Sequence, residues 1–244
     1  FVPDEWFGAP SRKIVYDYTY DGVMRSFEIS LERVGVDRFD IVFCHDIDVF
    51  THGTKDASME KTKEFLGGGL RALTELRDAG LIDAFGLGVN EWEVCQYVAE
   101  RADVDVFLLA GRYTLLEQEA IRTFLPLCEE RGIGIMIGGA FNSGILATGA
   151  RPGATYNYRP APPDILERVS RIERVCAEHE VSMVDAAIQF PLGHRATLSV
   201  VAGVETPEQM DASVKAMTAR SPPEFWYALK REKLLRDDTP IPSS

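Results

Sequence analysis

A histidine stands directly after the pattern of a buried strand in this sequence. Residues 39–44 read FDIVFC, and His45 and Asp46 follow them. Strands of this apolar composition are typical of parallel sheets, in which α/β enzymes hold their catalytic groups at the carboxyl ends of the strands. A histidine in that place can move a proton or orient a substrate oxygen near neutral pH. The pattern therefore indicates an enzyme, and His45 is its first candidate catalytic residue.

The segments that must position His45 form a repeated alternation of strand and helix patterns. Such alternation predicts βαβ units and a parallel sheet. The predicted strands cover residues 40–45, 84–89, 105–110, 133–138 and 198–203. The predicted helices cover residues 20–35, 69–79, 91–101, 117–131, 164–180, 183–190 and 207–218, and a short helix with a buried apolar side follows Pro222.

Three further expectations concern the connecting segments. Residues 48–66 and 144–163 read as long irregular segments, and loops of that length usually act as lids or substrate loops. Asp46 is expected to fix the start of a loop or helix. Asn90 is a candidate N-cap for the helix that follows the second strand.

The composition disfavours several classes of protein. The 244 residues carry a formal net charge of -12, which disfavours nucleic acid as a partner. No apolar stretch approaches the roughly 18 residues of a membrane span. Four cysteines lie far apart without a C-x-x-C pair, so the sequence indicates neither a metal site nor a disulfide framework. We therefore expect a cytoplasmic protein that acts on a small-molecule substrate, with its oligomeric state left open.

The number of predicted strands leaves two folds open. A closed parallel barrel needs eight strands and about 250 residues, whereas five strands are predicted here. The fold is therefore either a smaller, open, doubly wound sheet or a barrel whose front part is absent from the sequence.

Several short motifs occur in the order that is seen in one known family. They are DYTYD at 17–21, RSFEISLERVG at 25–35, DIVFCHD at 40–46, GLGVNE at 86–91, GRYTLL at 111–116, FNSGIL at 141–146 and VAGVETPEQ at 201–209. Together they span nearly the whole chain. The series resembles the aldo-keto reductase superfamily, and within it the branch of L-fucose dehydrogenase, D-threo-aldose 1-dehydrogenase and pyridoxal 4-dehydrogenase.

The resemblance implies a fold and a catalytic histidine. The fold is of the α/β class, an (α/β)8 TIM barrel forming a single domain over residues 1–244, with about three βα units expected before Phe1. In the family those units carry a catalytic Asp, Tyr and Lys, which nothing in this sequence matches. His45 matches the family's histidine, which donates a hydrogen bond to the substrate oxygen while the Tyr handles the proton. His52 is a candidate for contacting a substrate hydroxyl, whereas His179 and His194 are expected at the surface or at helix ends.

A nicotinamide site is also implied by the resemblance. Asn90 takes the place of the family's carboxamide-binding Ser, with Glu91 beside it, and Ala110 stands where most relatives have a Gln. The pyrophosphate is expected at a run whose backbone N–H groups and hydroxyl can approach phosphate oxygens. That run consists of Ala140, Phe141, Asn142, Ser143 and Gly144.

The expected adenosine site distinguishes NAD from NADP. Relatives that select NADP use a Lys and an Arg where this sequence has Gly203 and Gln209, and Glu205 adds a negative charge. A carboxylate accepts hydrogen bonds from ribose hydroxyls but repels a 2′-phosphate, so we predict NAD over NADP. Val204 and Ser213 complete the residues assigned to this end of the cofactor.

Three functions follow from the resemblance. The first is an NAD-dependent dehydrogenase that oxidises C1 of a free aldose, such as L-fucose, to a lactone. The second is the oxidation of pyridoxal, through its hemiacetal, to a lactone. The third is a nucleotide-binding subunit that senses redox state without turnover.

Overall fold

The computed structural model describes residues 14–242, and a parallel sheet of five strands runs through them. In order across the sheet the strands are β1 (Ile41–His45), β2 (Ala84–Val89), β3 (Val106–Ala110), β4 (Gly134–Gly138) and β7 (Thr197–Val201). A small antiparallel hairpin is formed by β5 (Thr155–Tyr156) and β6 (Arg159–Pro160). All of the predicted strands are therefore confirmed, with small shifts at their ends.

Helices connect these strands. They are α1 (Tyr20–Val34), α2 (Val49–His52), α3 (Lys55–Glu64), α4 (Leu70–Asp78), α5 (Trp92–Ala99), α6 (Phe124–Arg131), α7 (Ile145–Thr148), α8 (Pro163–Glu178), α9 (Met183–Gln189), α10 (Pro207–Thr218) and α11 (Pro223–Arg231). A π-helical turn at Phe65–Gly69 joins α3 to α4, and 3-10 turns occupy Glu119–Arg122 and Phe190–Gly193.

The central strands are buried on both faces, as the apolar sequence of parallel strands requires. Phe107 and Leu109 of β3 and Ile135 and Ile137 of β4 are all fully buried. In β2, a Cβ at Gly86 would lie 1.6 Å from the carbonyl oxygen of Val106. Residue 86 therefore has to be glycine for β2 and β3 to approach this closely.

The start of α1 is fixed by a capping side chain. The hydroxyl of Thr19 accepts a hydrogen bond from the backbone N–H of Gly22. Gly35 ends the helix in the left-handed conformation, with φ 75°, as its position in the sequence predicts. Tyr18, one residue before the cap, is thereby held against the sheet, where it is buried.

Residues 48–66 are helical, so the prediction of a long irregular segment was wrong. Asp48 and Thr54 each accept a backbone N–H hydrogen bond at the start of α2 and α3. The buried side of α3 carries the polar residues Ser58 and Thr62, whose hydroxyls donate to backbone carbonyl groups. Because this face is not apolar, the helical period was invisible in the hydrophobic pattern. Residues 144–163 are mostly irregular, as predicted, apart from α7 and the hairpin.

The end of the chain packs on the body, which confirms the predicted short helix. Phe225, Trp226 and Leu229 of α11 are fully buried. Arg168 of α8 donates a hydrogen bond to the carbonyl oxygen of Leu234 beyond α11. Across residues 14–242, no helix has both the length and the apolar character that crossing a membrane requires.

Two strands of the sheet are edges in the residues that the structure describes. β1 pairs on one side with β2, and β7 pairs on one side with β4. The strands of residues 14–242 thus form an open sheet rather than a closed ring. The βα units expected before Phe1 stay a prediction.

Candidate active site at the carboxyl ends of the strands

The carboxyl ends of the parallel strands bring the predicted site residues to one edge of the sheet. His45 ends β1, Asn90 follows β2, and Ala110 ends β3. A cleft of about 320 Å³ opens there, which we call the strand-end cleft. Its lining consists of Tyr16, His45, Asp46, Phe50, Thr51, Gly88, Val89, Asn90, Leu108, Ala110 and Tyr158. The structure thus brings His45, Asn90 and Ala110 together, whereas His52 and Glu91 are not among the lining residues.

The backbone around His45 is fixed by a buried tyrosine. The Tyr18 hydroxyl lies 3.0 Å from the carbonyl oxygen of His45 and 2.8 Å from that of Asp46, and donates to both. The backbone N–H of Asp46 donates to the carbonyl oxygen of Gly88 at 3.0 Å. Burial raises the pKa of Tyr18 far above its usual range, so its hydroxyl stays a donor.

The imidazole of His45 lies between a carboxylate and a glycine. Its Nδ1 is 3.1 Å from Oδ2 of Asp46. A Cβ at Gly88 would lie 3.1 Å from Cδ2 of the ring, so glycine makes room for the ring over β2. The side chain is 71% exposed, and Nε2 is the ring nitrogen that Asp46 leaves for a bound molecule. Contact with Asp46 raises the pKa of His45, partial burial opposes this, and Asp48 adds to it.

Asp48 carries the structural role that was predicted for Asp46. Its side chain is fully buried. Oδ1 accepts the N–H of Thr51 at 3.1 Å, which starts α2, and Oδ2 accepts the N–H of Asn90 at 2.6 Å. One carboxylate therefore joins the loop after β1 to the loop after β2. The spacing from Asp48 to Thr51 was a readable capping signal in the sequence.

Glu91 and Asn90 differ from their predicted local roles. Oε2 of Glu91 accepts the backbone N–H of Val49 at 2.7 Å, so this carboxylate is occupied by α2 rather than directed to a carboxamide. Burial raises the pKa of Glu91, and the charge of Asp48 adds to the shift. Glu91, not Asn90, stands at the N-cap of α5, and it makes no capping bond there. Asn90 lines the strand-end cleft instead.

The remaining histidines lie outside the strand-end cleft. Nε2 of His52 is 3.4 Å from the Tyr18 hydroxyl, and its ring packs edge-on against Tyr16. His52 therefore supports the tyrosines rather than lining the cleft. His194 is 5% exposed and its Nδ1 accepts the N–H of Ala196, so it is not at the surface; it lies at a helix end, directly after the 3-10 turn Phe190–Gly193, which is the other predicted position. His179 caps the end of α8, as predicted.

The turn after β4, predicted to hold pyrophosphate, contains three consecutive residues in the left-handed conformation. Asn142, Ser143 and Gly144 have φ values of 45°, 59° and 92°. Asn142 is buried, with Oδ1 accepting from the Thr114 hydroxyl and Nδ2 donating to the carbonyl oxygen of Gly111. Asn142 thus holds the turn in place, while Ser143 and Gly144 are partly exposed.

Of the five residues predicted to hold the pyrophosphate, the first three have little exposed surface that a phosphate could contact. Ala140 is 1% exposed, Phe141 packs against the core, and the N–H of Asn142 donates to Gly139. A Cβ at Gly144 would meet no atom within 4 Å, so open space lies in front of this glycine. Ser143 and Gly144 are therefore the residues of this run with space in front of them, although the N–H of Gly144 already donates to the carbonyl oxygen of Phe141 at 3.1 Å.

The predicted adenosine residues lie on an exposed turn after β7. Gly203, Glu205 and Gln209 are exposed, and Oε1 of Gln209 accepts the backbone N–H of Glu205 at 2.7 Å. Val204 and Ser213 are partly buried, the latter within α10. A Cβ at Gly203 would meet no atom within 4 Å, so open space lies in front of this glycine as well.

Aromatic side chains that the sequence did not reveal form the outer wall of the cleft. Phe50 of α2 and Tyr158 of the hairpin lie with their ring centroids 5.8 Å apart. The N–H of Tyr158 donates to the Ser143 hydroxyl oxygen at 3.0 Å. Tyr16 lines the cleft on the β1 side. The only readable signal was Asn157, a residue type that favours the turn of a hairpin.

Comparison with known proteins places the chain within one family of sequences. A sequence model of the aldo/keto reductase family matches residues 10–231. The chain is 44% identical to pyridoxal 4-dehydrogenase from Microbacterium luteolum, over 94% of this chain and 67% of that protein. It is 33% identical to D-threo-aldose 1-dehydrogenase from Pseudomonas sp, over 90% and 64% respectively. The chain thus spans about two thirds of the length of these relatives.

Solved structures show the same fold. An aldo-keto reductase from Bacillus halodurans, in its holo form, matches 91% of this chain and 69% of its own, with a TM-score of 0.68 and 22% identity. A glycerol dehydrogenase from Gluconobacter oxydans matches 98% of this chain and 72% of its own, with a TM-score of 0.70 and 20% identity. The five-stranded parallel sheet is therefore the corresponding part of a TIM-barrel fold.

Proposed function

The chain belongs to the aldo/keto reductase family, and on that premise we propose that it acts as a nicotinamide-dependent dehydrogenase of a hydroxylated ring substrate. Pyridoxal, as its hemiacetal, is the first candidate, and a free aldose is the second. In both cases the product is a lactone. The strand-end cleft, with a histidine and an amide at its base and aromatic walls, carries this proposal.

The walls of the cleft favour a flat, partly apolar ring. Phe50, Tyr158 and Tyr16 line it, and among its described lining residues there is no Lys or Arg. A sugar presents hydroxyl groups around its whole rim, each of which needs a polar partner when buried. An aromatic ring instead gains from stacking on such side chains. The chain is also more similar to the pyridoxal dehydrogenase than to the aldose dehydrogenase. We therefore rank pyridoxal before a free aldose, which reverses the order predicted from the sequence.

The residues at the strand ends fit a nicotinamide dinucleotide. The amide of Asn90 can pair with a carboxamide, and the open space in front of Gly144 and Gly203 allows close approach of phosphate and ribose. When bound, the nicotinamide accepts a hydride from the substrate carbon. In the proposed complex His45 contacts the reacting oxygen, and the aromatic side chains of the cleft contact the substrate ring.

Substrate preference tests the proposal. In the full-length protein with NAD, we expect kcat/KM for pyridoxal to exceed that for L-fucose by about fivefold or more, since one stacking contact is worth about 1 kcal/mol. Tyr158→Ala should lower the value for pyridoxal several-fold, while the matched control Tyr158→Phe keeps it. NADH absorbance measures both reactions. A higher kcat/KM for L-fucose than for pyridoxal would make the aldose the first candidate substrate. Nucleotide binding without turnover of either substrate would favour the redox-sensing subunit.

We also propose NAD as the cofactor. Residues 198–214 contain Glu205, Glu208 and Asp211, and the first cation along α10 is Lys215, so a 2′-phosphate at the turn itself meets acidic side chains before a basic one. We expect kcat/KM to favour NAD by about tenfold, which corresponds to roughly 1.4 kcal/mol of repulsion. Glu205→Gln should lower the ratio of kcat/KM for NAD to that for NADP, and Glu60→Gln, which removes an exposed charge on α3, should leave the ratio unchanged. Kinetics that favour NADP would refute the proposal.

A further inference from the structure

Helix α2 carries one side of the aromatic wall of the strand-end cleft, yet it has no apolar anchor in the core. It is a single turn, Val49–His52, and none of its four residues is buried. Phe50, which faces Tyr158 across the cleft, is 42% exposed. A helix this short has little stability of its own, because few hydrogen bonds offset the ordering of its backbone. Its position therefore depends on polar contacts with neighbouring elements.

The first N–H group of α2 is bound by a carboxylate from another part of the chain. Oε2 of Glu91 accepts the backbone N–H of Val49 at 2.7 Å, and the two residues are 42 positions apart in sequence. Burial raises the pKa of Glu91, whereas the N–H groups of Val49 and Phe50 lower it, which indicates that both groups face the carboxylate. Glu91 therefore contacts the turn of backbone from which the ring of Phe50 projects.

A second anchor lies where α2 begins. The buried side chain of Asp48 accepts the N–H of Asn90 at 2.6 Å, which fixes the point where the helix leaves the edge of the sheet. A helix held at one point can still rotate about it. The contact at the other end of α2, from Nε2 of His52 to the Tyr18 hydroxyl, is long at 3.4 Å. The bond to Glu91 supplies a second short contact, so it sets the direction of the helix.

We infer that Glu91 is a positioning residue for the substrate: by setting the direction of α2, it places the ring of Phe50 against a flat substrate beside Tyr158. The inference rests on the proposed function, in which these two aromatic side chains contact the substrate ring. It gives Glu91 a role different from the cofactor contact that the family resemblance implies. The nicotinamide carboxamide is then left to the neighbouring Asn90.

Removal and restoration of the acceptor test the inference. In the full-length protein with NAD, Glu91→Ala should raise KM for pyridoxal about fivefold, the effect of one lost stacking contact, and leave kcat and the Kd for NAD nearly unchanged. Glu91→Gln keeps an oxygen that can accept the N–H of Val49, so its KM should stay near the original value. The matched control is Glu93→Ala, which removes an exposed carboxylate two residues away on α5 and should change none of these values.

The variant Phe50→Ala provides a background that separates positioning from other roles. If Glu91 acts through Phe50, Glu91→Ala should raise KM no further once the ring of Phe50 is gone, because the two changes then remove the same contact. A fivefold rise that persists in this background would overturn the inference. A raised Kd for NAD in Glu91→Ala would do the same, because it would show that the carboxylate contacts the cofactor.

Exchange of a backbone N–H group with solvent reports on the contact without turnover. The N–H of Val49 has no carboxamide or carboxylate acceptor at position 91 in Glu91→Ala, so we expect it to exchange about tenfold faster there than in Glu91→Gln. Equal exchange rates in the two variants would contradict the inference. Failure of the proposed function has a different signature: neither pyridoxal nor L-fucose is oxidised, while the exchange rates of the two variants still differ.

Discussion

Replacement of His45 by Ala is expected to lower kcat about a hundredfold to a thousandfold, the range that a preorganised hydrogen-bond donor to the reacting oxygen contributes. Ala removes both ring nitrogens, so the reacting oxygen loses its hydrogen-bond donor, whereas the matched variant His45→Gln keeps a side-chain donor and should lose less. The side chain is 71% exposed, so the free energy of unfolding should hardly change. Steady-state rates of NADH formation with pyridoxal measure the effect.

The control for this variant is cofactor binding. His45 has no part in the predicted phosphate and adenosine contacts, so the Kd for NAD should remain within a few-fold of its original value, a change of under about 1 kcal/mol. A variant that retains most of its kcat would show that the imidazole does not contact the reacting oxygen.

Asp48→Ala is expected to lower the free energy of unfolding by about 3 kcal/mol, since two hydrogen bonds to one charged group are lost. The backbone N–H groups of Thr51 and Asn90 would lose their acceptor within the protein. Both the start of α2 and the loop that carries Asn90 would then shift, so kcat should fall as well. Urea denaturation followed by circular dichroism measures the loss of stability.

The variant Asp48→Asn keeps the shape of the side chain and removes its negative charge, so it separates the two contributions. Its carbonyl oxygen retains one of the two acceptors, so we expect a loss intermediate between the original protein and Asp48→Ala. Equal stability of all three proteins would mean that the two N–H groups find other partners, such as water.

The parallel strands and three site residues were predictable because the relevant signals are local. β3 and β4 are short apolar runs, and His45, Asn90 and Ala110 each lie at or directly after a strand. The carboxyl ends of parallel strands meet at one edge, so the position of His45 directly after a strand pattern placed it there. The resemblance to the family assigned Asn90, Ala110 and the turn after β4 to the same site.

The parts that the sequence did not reveal depend on contacts between distant residues. Phe50 and Tyr158 are 108 residues apart in sequence, and their meeting depends on how α2 and the hairpin pack. The buried face of α3 is polar, with Ser58 and Thr62 bonded to backbone groups, so it lacks the apolar period of a helix. His194 is buried because its ring accepts a backbone N–H in the turn before β7, which composition cannot show.

One residue, Ser143, links the turn after β4 to the wall of the cleft. Ser143 accepts the N–H of Tyr158, and its carbonyl oxygen accepts the hydroxyl of Thr155 in the same hairpin. A ligand that displaces Ser143 therefore also displaces the hairpin and, with it, the Tyr158 ring that faces Phe50. We therefore expect an ordered mechanism, in which the nucleotide binds before the substrate and leaves after the product. The reason is that bound nucleotide positions the aromatic wall that contacts the substrate.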